Sequence, residues 1–467
     1  MSSQAPSLSE SPLSRAEERA MLTVTGLAAF LFFNSFGSIG VALPAIQKQF
    51  GNSLAELQWV TLMGVVTISS LSFCFGRAGN IFGQRRLYKI GVAFYAAGAG
   101  LGALADSFVA LLFARAVMAM GLAMALPMST AILAASFEAS RRGRALGFFA
   151  AAIAVGRMSG PTVGGFLLQA GGWRWIFWMN FLVGVAVTIS VAQILRGIGA
   201  RRPEPFDFAG SLALLIGYPA LLIGLTFGAK IGWREPLVLT AFVIALCGLS
   251  AFLVVELRVV KPLVEVAIFR RGRMAVAQLV NALTHMLHQP LALCAPLYLQ
   301  NVLGASAVQA GLLLAVLPLS TALASPLSGR LADRFDARRI AGLGAVTIVL
   351  GVALYARLGA HSTFLGASAV LALIGCGIGC FTPANQKMAF SSVGQEDYGV
   401  LAAMLSSFGT SAGTIGITLA VALMENAGGR QLWSEPTVFA RAQSFAFAWL
   451  LPIGLLAIAV SFRWRRT

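Results

Sequence analysis

Fourteen long apolar stretches limit what this chain can fold into. A run of about twenty apolar residues is long enough for a helix to cross the hydrocarbon core of a bilayer. Such runs lie at about 21–45, 56–76, 88–104, 108–134, 145–168, 175–195, 208–228, 237–255, 274–299, 306–328, 340–357, 363–384, 399–424 and 440–462. Hydrophobic residues make up 58% of the chain and charged residues 11%, against about 45–50% and about 25% in soluble domains. The sequence therefore predicts an all-α polytopic membrane protein whose first span is not cleaved.

The formal net charge of +17 is explained by the membrane topology of the chain and does not indicate a nucleic-acid partner. Of the 34 Lys and Arg residues, 25 fall in the tails and alternate loops on one side of the predicted spans, and seven fall on the other side. The remaining two, Arg115 and Arg157, lie inside spans. This asymmetry follows the positive-inside rule, which predicts that both termini are cytoplasmic. A nucleic-acid interface would need one basic soluble face, and no soluble segment is long enough to supply it.

The chain contains an internal repeat that divides it into segments. GRAGNIFGQRR begins at Gly76, and GRLADRFDARR begins at Gly329, 253 residues later, each directly after a span. Two plain six-span halves would put the copies about 200 residues apart, so we expect spans seven and eight to be an insertion. The predicted organisation is a tail at 1–20, a six-helix bundle at 21–196, two inserted helices at 197–257 and a second six-helix bundle with a short basic tail at 258–467. Parallel repeats of this kind are typical of transporters with a central site between two halves.

Span five carries the most specific spacing in the sequence. Small residues at regular intervals let two helices approach closely, and a proline bends the helix where halves meet. The pattern consists of Gly147, Gly156, Gly160-Pro161 and Gly164-Gly165.

Together these features resemble the major facilitator superfamily, and specifically its fourteen-spanner drug/proton antiporter branch, over nearly the whole chain. The span-five pattern is similar to the antiporter motif of exporters in that family. The repeated loops are similar to its G-x-x-x-D-R-x-G-R-R motif, for which the resemblance implies a gating role on the inner side. The matching residues are Gly76, Asn80, Gly83, Arg85 and Arg86 in the first copy, where Asn80 replaces the acid, and Gly329, Asp333, Arg334 and Arg338 in the second. An acid paired with loop arginines could hold two helices together in one gate state.

Two spans depart from the family pattern where its chemistry is concentrated. Span four keeps the family arginine as Arg115, but Met118 and Ala119 replace the glutamine and first glycine that follow it. In span one the acidic position of the family aligns with Ser35, next to Asn34. Apart from Glu56 at the very start of span two, spans one to six contain no acidic residue.

Ionisable residues inside spans are expensive and usually functional. Arg115 and Arg157 either take part in the transport cycle or organise helix packing. Asn281, His285 and His288 in span nine are spaced to share one helix face. Histidine titrates near neutral pH, so these residues either carry a coupling proton or line the cavity as polar groups. No cysteine or carboxylate lies near them in sequence, so a metal site is not expected.

The resemblance implies a fold of two six-helix bundles plus two inserted helices, fourteen transmembrane helices in all, in the cytoplasmic membrane of a bacterium. It implies proton-coupled export of small apolar compounds by alternating access, by a monomer without a cofactor. Two arginines without a carboxylate would disfavour cations, so we expect anionic or neutral substrates. A non-coupled facilitator is the main alternative, because the span-one acid is missing, and a carrier-derived ligand sensor is a further one. No enzyme motif occurs in the sequence.

Overall fold

The structure is a computed structural model that describes residues 15–137, 139–195, 207–259, 272–391, 398–433 and 435–463. Within these ranges the chain is nearly all helical and contains no β-strand, which confirms the predicted all-α fold. The helices are α1 (Arg15–Phe50), α2 (Leu54–Phe82), α3 (Gln84–Ala103), α4 (Phe108–Ser136), α5 (Ala139–Gly171), α6 (Arg174–Ile194), α7 (Phe208–Ile231), α8 (Pro236–Arg258), α9 (Gly272–His288), α10 (Leu291–Leu297), α11 (Ala307–Arg334), α12 (Ala337–Tyr355), α13 (Phe364–Phe390), α14 (Tyr398–Gly428) and α15 (Pro436–Arg463).

Eleven stretches within the described helices are long and apolar enough to cross a membrane. The helices that do not meet this criterion are α3, α5, α9 and α10. Of these, α9 and α10 follow each other directly in the chain and continue into a π-helical turn at Tyr298–Val302. The break between α9 and α10 falls at Gln289–Pro290, because proline has no N–H for the helical ladder. Counting α9–α10 as one passage, α1 begins and α15 ends on the same side of the bundle. We call this the terminal side and the opposite one the far side.

Two helices that begin at the far side, α2 and α11, have a serine N-cap. Ser53 and Ser306 both form capping boxes, with Glu56 at the start of α2 and Gln309 at the start of α11. In a capping box the side chains satisfy backbone N–H groups that have no partner inside the helix. The sharp turn between Leu168 and Trp175 uses Gly172 at a φ of 82°, a backbone conformation that favours glycine.

Helix packing separates two groups of helices. In the first, α5 packs along α1 and α3 packs between α4 and α6; in the second, α13 packs between α11 and α12, and α9 packs against α14 and α15. Helices α7 and α8 pack on each other. Gly217 and Gly248 let their backbones come close, since a Cβ on Gly217 would lie 2.8 Å from the Leu249 nitrogen.

The two groups meet along two seams, one between α5 and α11 and one between α2 and α14. Two hydrogen bonds between described residues of the two groups lie near the far side. Gln300 Nε2 donates to the Val41 carbonyl across 2.8 Å, and the Ala55 N–H at the start of α2 donates to Glu425 Oε1 near the end of α14 across 2.7 Å. These two hydrogen bonds hold the halves together at the far side.

Candidate functional site

The glycines of α5 set how closely this helix approaches its neighbours. A Cβ on Gly156 would lie 2.5 Å from the Phe30 carbonyl oxygen, and one on Gly160 would lie 2.5 Å from the Asn34 carbonyl oxygen. A Cβ on Gly164 would collide with the backbone of Ser38. These three glycines therefore form a close backbone contact between α5 and α1, inside the first helix group.

Gly165 points to a different neighbour. A Cβ there would lie 2.5 Å from the Ala307 carbonyl oxygen at the start of α11, in the other half. Gly311 of α11 in turn lies directly against the backbone of Pro161. The antiporter pattern is expected from sequence to form the contact between halves, but among its described glycines only Gly165 lies at that seam. The surroundings of Gly147 fall outside the described side chains.

Asn34 belongs to the α1–α5 contact. Its Nδ2 donates to Ser159 Oγ across 3.0 Å, and the Ser38 hydroxyl one turn further donates to the Gly160 carbonyl across 2.8 Å. Both Asn34 and Ser38 are buried. Asn34 thus fixes the register of α1 on α5.

Arg157 is the charged residue of the space between the halves. It is exposed in α5, and its guanidinium carbon lies 4.7 Å from the centre of the Phe33 ring, in a cation–π contact. It precedes the end of α5 by fourteen residues, which at 1.5 Å per residue puts it about 21 Å from the far-side end of the helix. Arg157 is therefore near the middle of the membrane, and no described carboxylate forms an ion pair with it.

The span-nine residues line one face of α9, as their spacing predicts. Asn281 Nδ2 donates to the Leu405 carbonyl of α14 across 2.8 Å, and a Cβ on Gly409 would lie 2.8 Å from the same Nδ2. The ring centres of His285 and His288 are 5.0 Å apart, and His285 lies within electrostatic range of Arg157 across the space between the halves. Arg157 and the two histidines thus face the same region from opposite halves.

The hydrogen bonds of the two histidines determine their tautomer. His285 Nδ1 lies 2.9 Å from the Asn281 carbonyl oxygen, and His288 Nδ1 lies 2.6 Å from the Thr284 carbonyl oxygen. A carbonyl oxygen only accepts, so Nδ1 carries the proton in each ring. Nε2 is then the nitrogen that can accept a hydrogen bond or take up a second proton.

Arg115 and Ser35 lie elsewhere, inside the first helix group. Arg115 is buried and its Nε donates to the Val60 carbonyl of α2 across 3.0 Å. Its guanidinium carbon lies 5.8 Å from the Phe36 ring centre. Ser35 and Arg115 line one small cavity between α1, α2, α3 and α4. The predicted site residues therefore divide between the central space, this cavity and two helix contacts.

The loops predicted to act as gates are only partly described. Gly83 joins α2 to α3 at a φ of 98°, while the surroundings of Gly76 and the side chains of Asn80 and Asp333 lie outside the described part. Between α11 and α12, sequence analysis overlooked Asp336, which accepts the Arg338 backbone N–H across 3.0 Å and an Nη2 hydrogen bond across 2.7 Å. These hydrogen bonds lower the pKa of Asp336. Arg86, Arg334 and Arg339 are exposed.

Glu425 and Gln300 are the other polar residues that sequence analysis overlooked. Both make ties across the halves, to partners 370 and 259 residues away. No local pattern marks such a residue, because a far-side end of a helix commonly carries a polar side chain.

Comparison with known proteins agrees with this architecture. The Major Facilitator Superfamily profile matches residues 25–210 and 274–467, so the chain belongs to that superfamily. The chain is 26% identical over 438 residues to the multidrug transporter protein MdtP of Bacillus subtilis, covering 92% of this chain and 81% of that protein. It is 29% identical over 400 residues to the multidrug resistance protein Stp of Mycobacterium tuberculosis, covering 85% and 74%.

Among solved structures, the fold resembles a bacterial homologue of the human lysosomal transporter Spinster in an inward-facing, unoccupied conformation. The TM-score is 0.72 at 16% identity, covering 97% of this chain and 100% of that one. The chain is thus a multi-pass membrane protein of a transporter family, with bacterial relatives.

Proposed function

We propose that this protein exports small, largely apolar compounds by alternating access, with anionic or neutral compounds favoured over cations. The observation that carries the proposal is Arg157, exposed near mid-membrane beside Phe33 and without a described carboxylate partner. A flat apolar group can lie against Phe33, while an anionic or hydrogen-bond-accepting group meets the guanidinium. The names of MdtP and Stp, a multidrug transporter and a multidrug resistance protein, support export as the direction.

We further propose the fourteen-spanner topology, with the terminal side in the bacterial cytoplasm. The asymmetry of the Lys and Arg residues supports this orientation. The family profile leaves out residues 211–273, which supports α7 and α8 as an insertion between two six-helix halves. The protein would act as a monomer in the inner membrane and would take up its substrate from the cytoplasm.

Protons are the proposed coupling ions, taken up at Nε2 of His285 or His288. An N–H or O–H of a neutral substrate that donates to Nε2 competes with a proton for the same lone pair, which is what antiport requires. For an anionic substrate the opposite holds, since a protonated ring adds positive charge beside Arg157, so proton antiport at these rings is proposed for neutral donors only. Binding is therefore expected to weaken as the pH falls for neutral donors and to strengthen for anions. Tryptophan fluorescence titrations across pH 5–8 with matched dyes would separate the two substrate classes.

The experiment that tests coupling is substrate-driven proton movement in proteoliposomes. In the His285→Ala/His288→Ala variant, proton flux is expected to fall at least about tenfold while substrate binding persists, because general proton transfer by a positioned side chain contributes a factor of about 10² or more. His361→Ala is the matched control, since His361 lies exposed in a far-side loop.

Transport that is indifferent to a pH gradient in the wild type would instead favour a non-coupled facilitator. Ser35 at the position of the family acid is the observation that favours this second candidate. Binding of a ligand without net movement of it would point to a sensor.

A further inference from the structure

The small cavity around Arg115 lies apart from the central space and contains a buried guanidinium group. Arg115 is 4% exposed, and its hydrogen bond from Nε to Val60 leaves the two terminal nitrogens of the guanidinium for other partners. No described carboxylate lies within ion-pair distance of it. A buried cation without a counter-charge is strongly unfavourable in a membrane protein. The surroundings of Arg115 therefore call for a negative charge.

Among the described residues, the walls of the cavity carry one positive charge, two hydroxyl groups and no carboxylate. The Ser35 side chain is 2% exposed, and its Oγ lies beside the Tyr95 hydroxyl. The Tyr95 hydroxyl is already committed to Asn180 Oδ1 across 2.7 Å. The other lining residues carry no charged or polar side chain; they are Phe32, Phe36, Gly64, Met118, Ala119 and Leu122. The Arg115 guanidinium and the Ser35 hydroxyl, inside largely apolar walls, are groups that can bind an anion.

Gly64 and the small volume of the cavity limit the size of any ligand next to Arg115. A Cβ on Gly64 would lie 3.1 Å from Arg115 Nη2, so a larger side chain on α2 would press on the guanidinium. The cavity has room for about one water or one monatomic ion. A carboxylate ligand or a drug is too large.

We propose that this cavity binds one halide ion, chloride under physiological conditions, held by the Arg115 guanidinium and the Ser35 hydroxyl. The ion stands where a carboxylate at position 35 would otherwise face Arg115. It neutralises the arginine and holds α1, α2 and α4 around it. The proposal does not depend on which substrate is exported or on proton coupling.

Thermal unfolding of the purified protein tests the proposal. Chloride is compared with gluconate, an anion too large for the cavity, at equal ionic strength. Chloride is expected to raise the unfolding midpoint by a few degrees and to saturate, because a ligand that binds only the folded state stabilises it by mass action. Ser35→Ala is expected to weaken apparent chloride affinity about tenfold, since a hydrogen bond to a charged group is lost.

The decisive variant is Ser35→Asp, which places a carboxylate of the chain at the site. Its midpoint is expected to be insensitive to chloride while Arg115 remains in place. An anomalous signal from bromide between residues 35 and 115 in wild-type crystals would locate the ion directly, whether or not Ser35→Asp folds. No chloride response in the wild type, an equal response in all three proteins, or bromide only at other positions would overturn the proposal, leaving a water molecule in the cavity.

Discussion

Replacing Arg157 by glutamate is expected to invert the charge preference of transport. The wild type should move anionic and neutral dyes in preference to lipophilic cations, and Arg157→Glu should prefer the cations. Two unit charges about 6 Å apart at an effective dielectric constant of about 20 interact by about 3 kcal/mol, and charge reversal doubles the difference. Because the space around Arg157 is open to solvent, screening reduces this value, and we expect the ratio of cation to anion uptake to change by at least about 100-fold.

The measurement is competitive uptake of size-matched anionic, neutral and cationic dyes into inverted vesicles. Arg157→Gln should have an intermediate preference, and Arg157→Lys should retain the wild-type order at reduced rate, since lysine keeps the charge but not the planar contact with Phe33. The exposure of Arg157 means that these changes should leave folding nearly intact. Efficient transport of ethidium-like cations by the wild type would contradict the assignment.

Gly165→Val is expected to reduce transport at least about tenfold by keeping the far side open. A side chain at this position would meet the Ala307 carbonyl of the opposite half at 2.5 Å, and backbone there cannot rotate away. The close contact exists only when the halves meet at the far side, so the substitution penalises the conformation described here and not the opposite one. Overpacking of this kind typically costs about 1–3 kcal/mol, which is enough to shift a two-state equilibrium.

Accessibility of a reporter cysteine measures this shift. Val41 is fully buried and its carbonyl accepts the bond from Gln300 across the halves. In a cysteine-free background, Val41→Cys should react slowly with an impermeant thiol reagent from the far side, and at least about tenfold faster when Gly165→Val is added. Gly160→Val provides the contrast, since its clash is with α1 in the same half and should lower thermal stability instead. Gly359→Ala, in open space, should change neither. Equal labelling rates with and without Gly165→Val would contradict the expected role of this seam.

Hydropathy and periodicity predicted the elements and some of the faces. The spacing of Asn281, His285 and His288 predicted one shared face, and the structure has these residues along one side of α9, with Asn281 and His285 against Gly409 of α14. Pro290 marked the interruption of the span. These features depend on local chain geometry, which the sequence contains directly.

The surroundings of the arginines and of Asn34 and Ser35 could not be predicted in the same way. Successive residues on a helix point about 100° apart, so Asn34 faces α5 while Ser35 faces Arg115 on α4. Which neighbour each direction meets depends on how whole helices pack. Helix packing also determines that Arg115 is buried and Arg157 exposed, which the sequence does not reveal. For the same reason, the hydrogen bond between Glu425 and Ala55 could not be predicted from the local sequence.

The position of α7 has a consequence for compounds dissolved in the bilayer. Gln58 of α2 donates to the Thr226 hydroxyl of α7 across 3.3 Å, and the Tyr218 hydroxyl of α7 donates to the Ser411 carbonyl of α14 across 3.3 Å. One helix thus bridges the α2–α14 seam, whereas at the α5–α11 seam α1 packs against both helices. Lipid tails and lipophilic molecules can approach the interior sideways only where two helices part without a third across them. Lipophilic compounds in the bilayer are therefore expected to be kept from the α2–α14 seam by α7.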